Sequence, residues 1–560
     1  MLFKSKNPDV HWPRDQSLWS WLFETCLSKF DANKLQGYTD VETKQYISYA
    51  QLKRYTEQLS TFLSESYGLR EGEVVIIYNR NSIWYPVVAL AAVRIGAVTC
   101  GISPEYTVDE LTYALKLTKA KLIFTSASLK ATASAAATKI GMGIESILYM
   151  GSGQGGVKGV EELLQMLACS DARALVKPFE IPKDKTNHDV CAYLCLSSGT
   201  TGLSKAVMIS HANIIAQCLQ VQQITPPDHT KILAALPFYH ITGIVHEVHL
   251  PITLNAHVYV LAKYTLDSLL RTVSENKIKE LLIVPPILIQ LVQDTETVSK
   301  YDLHSVERFS SGAAPLPGEV LKLLEKKFPG TGFKQGYGMT ESCSAITSHP
   351  PSKYAYKYAE KVGMLVGSTE AKIVDPNTGE EYGVGKPGEI WARGPQVAMG
   401  YLGNPVATAD TFDKDGFVHT GDIGQFDEEG FLSITDRMKE MIKVKGIGIA
   451  PSELENLLLG HPIVSDVAVC GISDDRAGER PKAFVVLRPS ARKSPVDAAR
   501  SLIEFTKANK ARHKWIKEVE IVKAIPKSAA GKILRRQLRE KRDCASGNIA
   551  VRDLPSSAKL

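Results

Sequence analysis

The chain lacks what would mark a disulfide scaffold, a membrane protein or a nucleic-acid binder. Its nine cysteines are spread over 560 residues and none stands in C-x-x-C spacing, so neither a disulfide framework nor a zinc ribbon is indicated and a reduced, intracellular setting is expected. No apolar run approaches the roughly 18 residues of a membrane span, and residues 1–12 lack a basic stretch followed by an apolar one, so neither a spanning segment nor a secretory signal is expected. A net charge of +6 is small for this length and provides no field of the kind that binds nucleic acid. The basic cluster Arg535, Arg536, Arg539, Lys541 and Arg542 reads as the solvated face of a helix. A content of 44% hydrophobic and 22% charged residues is ordinary for a globular protein, and 560 residues exceed one core, so a large unit and a smaller one are expected.

What is present is an alternation of strand-like runs, at 74–78, 122–125, 233–236 and 281–284, with helix-like stretches at 84–93 and 111–118. This is the pattern of α/β layering. A charged stretch at 436–439 is followed by a shorter βα pattern through 467–471 and 483–488. The expected division is therefore 1–436, 437–545 and a flexible tail, 546–560.

The densest chemical signal follows an apolar run at 190–196. Ser197, Ser198, Thr200 and Thr201 offer hydroxyls, Gly199 and Gly202 let the backbone approach an anion, and Lys205 adds a positive charge, a set suited to a polyphosphate. The glycines are three apart and Ala206 follows the lysine, which departs from the Walker phosphate loop and leaves no hydroxyl there for magnesium. By composition alone a polar surface loop fits equally well. Four further segments bear on that choice: Gln335-Gly336-Tyr337-Gly338-Met339-Thr340-Glu341, Thr420-Gly421-Asp422, the lysine-rich 436–446, and Pro526 through Gly531-Lys532-Ile533.

In this order and at these separations the five motifs resemble the adenylate-forming (AMP-binding) superfamily, and within it the 4-coumarate:CoA ligase-like and firefly-luciferase-like acyl-CoA synthetases. The resemblance covers about residues 40–540. It implies an α/β fold with a large N-terminal domain of several layered subdomains and a small mobile α+β C-terminal lid. It implies ATP, Mg2+, CoA and a carboxylic acid as cofactors and substrates. The acid would attack the α-phosphate to give an acyl-adenylate and pyrophosphate, and CoA would then displace AMP. Ser197, Ser198, Gly199, Thr200, Thr201, Gly202 and Lys205 would hold the phosphates, with Glu341 and Thr201 at the metal and Thr340 at the α-phosphate. Ser311, Gly312, Ala313, Gln335, Gly336 and Tyr337 would flank the adenine. Asp422 and Arg437 would hold the ribose. Lys532 would bridge carboxylate and α-phosphate, Lys439 would be the hinge, and Lys445 and Gly446 would meet CoA after rotation. Lys443 and His240 would act beside the adenylate.

The implied acid pocket is Ile241, Thr242, Gly243, Val245, Gly336, Met339, Ser342 and Ala345, mostly apolar and without the aspartate that amino-acid-activating relatives use. An aryl, arylalkenoic or medium to long acyl acid is expected, and the small Gly243 and Ala345 suggest room for a long or branched one. Two positions depart from the pattern. Ser204 and Ala206 replace the usual proline and glycine around Lys205, and Gly448 stands where the branch carries a glutamine, which removes a hydrogen-bonding side chain from the lid. No carrier module follows residue 540, so CoA is the expected acceptor. Delivery to a separate carrier or other acceptor, and a turnover-deficient nucleotide-binding scaffold, are the alternatives.

Two motifs carry less. Gly151 to Gly156 satisfies G-x-G-x-x-G, but Asp171 does not end a strand as a dinucleotide site requires. His246 and His249 flank Glu247 three apart, not four as in H-E-x-x-H, so they are expected to lie on a helix lining or backing the acid pocket. The terminal Ala558-Lys559-Leu560 resembles the Ser-Lys-Leu peroxisomal address, which implies an import receptor as partner.

Overall fold

The computed structural model describes residues 1–151, 159–168, 174–197, 204–312, 316, 318–438, 440–445, 447–474, 477–489, 491, 494–528, 531–540 and 549–553. Among them the strands form five sheets. One is built on the parallel strands Cys191–Ser197, Val98–Ile102, Val74–Tyr78, Leu122–Thr125 and Ile147–Tyr149. Its central strand, Val-Val-Ile-Ile-Tyr, is buried at every position, as a strand covered on both faces must be. The helix Tyr85–Arg94 beside it is likewise buried throughout, which is why 84–93 is apolar all round.

At one edge of this sheet Cys191–Ser197 turns back antiparallel into Lys205–Ser210. Ser197 stands opposite Lys205, so the end of one strand and the start of the next are held side by side. A second sheet aligns Glu280–Leu282, Arg308–Ser311 and Gly332–Met339 in parallel, then Ser344–Ser348 and Met364–Leu365 antiparallel. Its register sets Ser311 beside Gln335. A third, antiparallel sheet ends with Val418–Phe426 against Leu432–Arg437 and pairs Asp422 with Arg437. Residues far apart in sequence therefore meet at strand ends.

The expected strand at 233–236 runs Lys231–Ala234, in register with His257–Val260. The one expected at 281–284 runs Glu280–Leu282, because Pro285 and Pro286 open a helix, Pro285–Gln293, at the positions where proline is tolerated. Among the described residues no helix is long and apolar enough to cross a membrane.

The C-terminal unit has its own sheet, in the order Ile447–Ile449, Ile442–Val444, Gly478–Leu487, Glu518–Ile521, Ile549–Arg552, with Val464–Asp474 pairing Gly478–Leu487. Its core is its own, including Leu454, Val467, Val485, Leu502 and Val519. Two expectations are corrected here. Residues 549–552, expected within a flexible tail, add an edge strand antiparallel to Glu518–Ile521. Val551 packs on the apolar core and Arg552 pairs with the buried Glu518 at 2.5 Å. Arg535, expected on a solvated face, is half-buried and pairs with Glu440 at 2.6 Å and Glu455 at 2.7 Å; Arg536 and Arg539 are exposed as expected. Arg535 thereby ties the chain just after residue 439 to the C-terminal unit, while Met438 N–H donates to the Gly421 carbonyl at 2.8 Å on the other side.

Candidate active site

The strongest convergence is around Asp422. This carboxylate is 4% exposed, accepts from Tyr337 Oη at 2.8 Å and pairs with Arg437 Nε at 3.1 Å. Burial pushes its pKa up, and Arg437, Tyr337 and Lys532 act against that shift. Lys532 reaches the same place from the C-terminal unit. Its ammonium is pushed down to about 8, first by burial and then by the neighbouring Arg437, with Glu440 and Asp422 opposing.

The turn that carries Lys532 is tightly built. Ser528 and Lys532 exchange hydrogen bonds at 2.8 Å and 3.2 Å, and Gly531 N–H donates to the Ser528 carbonyl at 2.8 Å. Gly531 has φ +79°, and a Cβ there would lie 2.9 Å from Pro286 Cδ. Only glycine supplies both this backbone and this close approach, so the turn is docked against the first turn of the helix Pro285–Gln293.

A second group links the hairpin to Glu341. Tyr401 Oη donates to Glu341 Oε1 at 2.8 Å, and Lys205 Nζ lies 4.6 Å from the centroid of the same ring. Tyr401 belongs to the short strand Gly400–Tyr401, which pairs with Lys205–Ser210. Sequence reasoning missed it because no motif contains it; only sheet pairing places it between a cation and a carboxylate. Thr340 and Glu341 sit on the turn Thr340–Ser342. Gly312 and Gly336 approach closely: a Cβ on Gly312 would lie 2.9 Å from the Gly336 carbonyl oxygen. The Ser311 hydroxyl is buried without a hydrogen-bond partner among the described residues. Gln335 donates its side-chain amide to the Ala359 carbonyl.

His240 caps the short helix Ile241–Gly243, accepting the Thr242 N–H on Nδ1 at 3.3 Å. Desolvation pushes its pKa down to about 4, so the ring is neutral and its proton sits on Nε2, available as a donor. Ile241, Gly243, Val245, Ser342 and Ala345 are buried, and Thr242, Gly336 and Met339 half-buried. The room expected from Gly243 is not there. Its missing Cβ would lie 2.1 Å from the Pro237 carbonyl oxygen, so glycine is required by backbone contact, not by ligand space. His246 and His249 do lie on one helical segment, Ile244–His249, with separate partners. His246 Nε2 is 3.3 Å from Ser344 Oγ, whereas His249 bonds Tyr193 Oη at 3.1 Å and the Ile244 carbonyl at 2.7 Å, and Glu247 Oε1 accepts the Leu236 N–H.

Comparison with known proteins bears on the family and the fold. The family described as AMP-binding enzyme matches residues 29–402, and its C-terminal domain, AMP-binding enzyme C-terminal domain, matches 453–532. The chain belongs to the AMP-binding enzymes. It is 34% identical to peroxisomal OPC-8:0-CoA ligase 1 of Arabidopsis thaliana, over 90% of each chain, and 34% identical to the 4-coumarate–CoA ligase of Vanilla planifolia, over 96% of each. Among solved structures, ATP-bound MatB of Rhodopseudomonas palustris superposes with a TM-score of 0.80 at 27% identity, covering 94% of this chain and 99% of that one.

As in its sequence, this AMP-binding enzyme keeps two sets of lysines on its C-terminal unit. Lys532 faces Asp422, whereas Lys443 and Lys445 are exposed on the hairpin Ile442–Val444 to Ile447–Ile449. The structure does not bring Lys443 to Lys532 and Asp422. Ser198, Gly199, Thr200, Thr201, Gly202, Ala313, Lys439, Gly446, the glycine-rich 152–156 and the terminal Ala558-Lys559-Leu560 lie outside the described residues. Gly448 stands opposite Lys443 in the hairpin and is exposed. A Cβ there would meet only the flexible end of Met441, at 2.9 Å. Gly448→Gln is accordingly expected to leave thermal stability within about 0.5 kcal/mol and, on a face turned away from Lys532 and Asp422 here, to speed the thioester-forming step by about fivefold, the worth of one regained hydrogen bond. Unchanged rates in both half-reactions would show that the position is neutral.

Proposed function

We propose that this chain is an ATP-dependent acyl- or aryl-CoA ligase: it joins a carboxylic acid to AMP with release of pyrophosphate, then passes the acyl group to CoA. The docked Lys532 carries this reading. A cation brought from a second unit, beside a carboxylate and a guanidinium, stands where negative charge accumulates as the carboxylate attacks phosphorus, and fixed positive charge is what lowers that barrier.

Asp422 would accept the ribose hydroxyls, with Arg437 and Tyr337 fixing its orientation. Ser311, Gly312, Gln335 and Gly336 would border the adenine, and the unpartnered Ser311 hydroxyl supports a ligand there. Ser197 to Lys205 would hold the phosphates, with Tyr401 stacked on the Lys205 ammonium and positioning Glu341. For magnesium, Glu341 fits: a carboxylate is the hard oxygen donor the ion prefers, and its side chain has a single hydrogen bond among the described residues, from Tyr401. The ion would neutralise phosphate charge, and Thr201 would join Glu341 in holding it. His240, neutral with its proton on Nε2, would donate at the acid carboxylate.

The division into 1–436 and 437–545, with Lys439 as pivot, gives Lys445 and Gly446 access to the thiol step after rotation. The terminal tripeptide would direct the enzyme to peroxisomes, in keeping with the name of the Arabidopsis relative.

The test is AMP and thioester formation by the purified protein with aryl and fatty acids, with and without CoA. AMP release that requires both acid and CoA, with acyl-CoA as product, is expected; adenylate without thioester would assign another acceptor, and no turnover with any acid would return the scaffold reading. A pH profile adds a check on Lys532. The protonated amine is the working form, so kcat/KM for ATP is expected to be level below pH 8 and to fall about tenfold per unit above it, since the free-enzyme pKa is about 8.

A further inference from the structure

Ser204 stands at the entrance of the strand Lys205–Ser210, and without a proline ring its φ is free. Its carbonyl shares one planar peptide with the Lys205 N–H, so the orientation of that peptide decides how the lysine leaves the backbone. Tyr113 fixes it. This half-buried tyrosine, 91 residues away in sequence, donates from Oη to the Ser204 carbonyl at 2.9 Å. The Ala206 carbonyl is held as well, accepting the Leu402 N–H at 2.9 Å. Leu402 follows Tyr401, the ring beneath the Lys205 ammonium. Lys205 therefore lies between two backbone clamps supplied by different elements.

Tyr113 is itself firmly placed on the helix Val108–Thr118. Thr107 Oγ1 accepts the Glu110 N–H at 3.3 Å and Glu110 Oε2 accepts the Thr107 N–H at 2.8 Å, a reciprocal pair that fixes the first turn. Leu111, Ala114 and Leu115 anchor the helix in the apolar core to which Ala206 also belongs. Tyr106 is a second neighbour of Ser204. Its carbonyl accepts from Tyr78 Oη at 2.9 Å; burial pushes its phenol up, and the Ser204 side chain acts against that shift.

We propose that Tyr113 is a positioning residue for ATP: by holding the peptide between Ser204 and Lys205, it keeps the lysine ammonium in place for the terminal phosphates. The inference rests on the reading above that Ser197 to Lys205 hold the phosphates. Tyr113 acts through Lys205 and not on the substrate. A free φ at the root of a long, flexible lysine is freedom that binding must remove, and a hydrogen bond from a packed helix removes part of it in advance. A proline ring at 204, the residue of the resembling enzymes, would restrict the same segment through φ. The two devices overlap, so their effects should not add.

The experiment is calorimetric binding of ATP with magnesium, and of AMP, in the absence of acid and CoA, to wild type, Tyr113→Phe, Ser204→Pro, the double variant and Lys205→Ala. Tyr113→Phe removes only the hydroxyl and is expected to weaken ATP by about three- to tenfold, the worth of one hydrogen bond. AMP, which lacks the terminal phosphates, is expected to bind as before. In the Ser204→Pro background the same change is expected to cost less than about twofold. Lys205→Ala is expected to weaken ATP and spare AMP. Unchanged ATP affinity in Tyr113→Phe, or an equal penalty in both backgrounds, overturns the positioning role. So does an AMP affinity that falls along with that for ATP, the mark of general damage to the fold. A Lys205→Ala variant that binds ATP as tightly as wild type overturns the phosphate reading and the inference with it.

Discussion

Replacing Lys532 with alanine is expected to slow adenylate formation by about 10²–10³-fold, the range seen when one positioned donor to a developing charge is removed. Transfer from a preformed acyl-adenylate to CoA is expected to stay within a few-fold of wild type. The two half-reactions separate because the lysine is held at Asp422 by a turn docked on Pro286, and a group delivered by a second unit serves only the step for which that unit is docked. Pyrophosphate release measures the first half-reaction, and thioester formation from synthetic adenylate the second. Equal loss in both would mean that Lys532 supports the fold or the AMP site and not the attack on phosphorus. The inflection near pH 8 should vanish in the same variant.

Replacing Gly338 with alanine is expected to be the most damaging change on the nucleotide side. A Cβ there would sit 1.5 Å from the Ser344 carbonyl oxygen and 3.0 Å from Ala345 Cα, so the backbone must move. The strand is already irregular at this point, shifting register between Tyr337 and Gly338, and the return turn holds Cys343 at φ 49° and Ser344 at φ 100°. Thr340, Glu341 and Ser342 lie on that turn. Overpacking of this kind costs about 3 kcal/mol or more, and a displacement of about 1 Å at a catalytic turn costs about 100-fold in rate. Thermal unfolding and adenylate formation should fall together. Gly379→Ala is the comparison: φ is +75° but a Cβ meets nothing, so about 1 kcal/mol and full activity are expected.

The five motifs were readable because each is a short run of residues whose chemistry is local: hydroxyls and glycines at 197–202, an aspartate after a glycine at 421–422, a Gly-Lys turn at 531–532. The meeting of Asp422 with Arg437 and of Ser311 with Gln335 follows from sheet register, which no local pattern encodes. The same limit hid Tyr401. It is an ordinary tyrosine until strand pairing sets it over Lys205. Gly243 shows the opposite error. A small residue in a pocket motif suggested space, yet the missing side chain faces a carbonyl of its own chain. Arg535 was misread for a related reason, since a run of basic residues on one short helix gives no sign of which member turns inward to Glu440 and Glu455.

Arg535 also has a mechanical consequence. On one side of residue 439 the chain is fastened to the body of the protein through Met438 and Gly421; on the other it is fastened to the C-terminal unit through Glu440 and Arg535. A change of orientation must be absorbed almost entirely between those two clamps. Under the proposed rotation, the unit would turn as one piece about a short pivot, and its two lysine-bearing faces would take turns at the same opening. Lys532 would then have to leave before Lys445 arrives, and the two half-reactions would be kept apart in time by the shortness of the pivot.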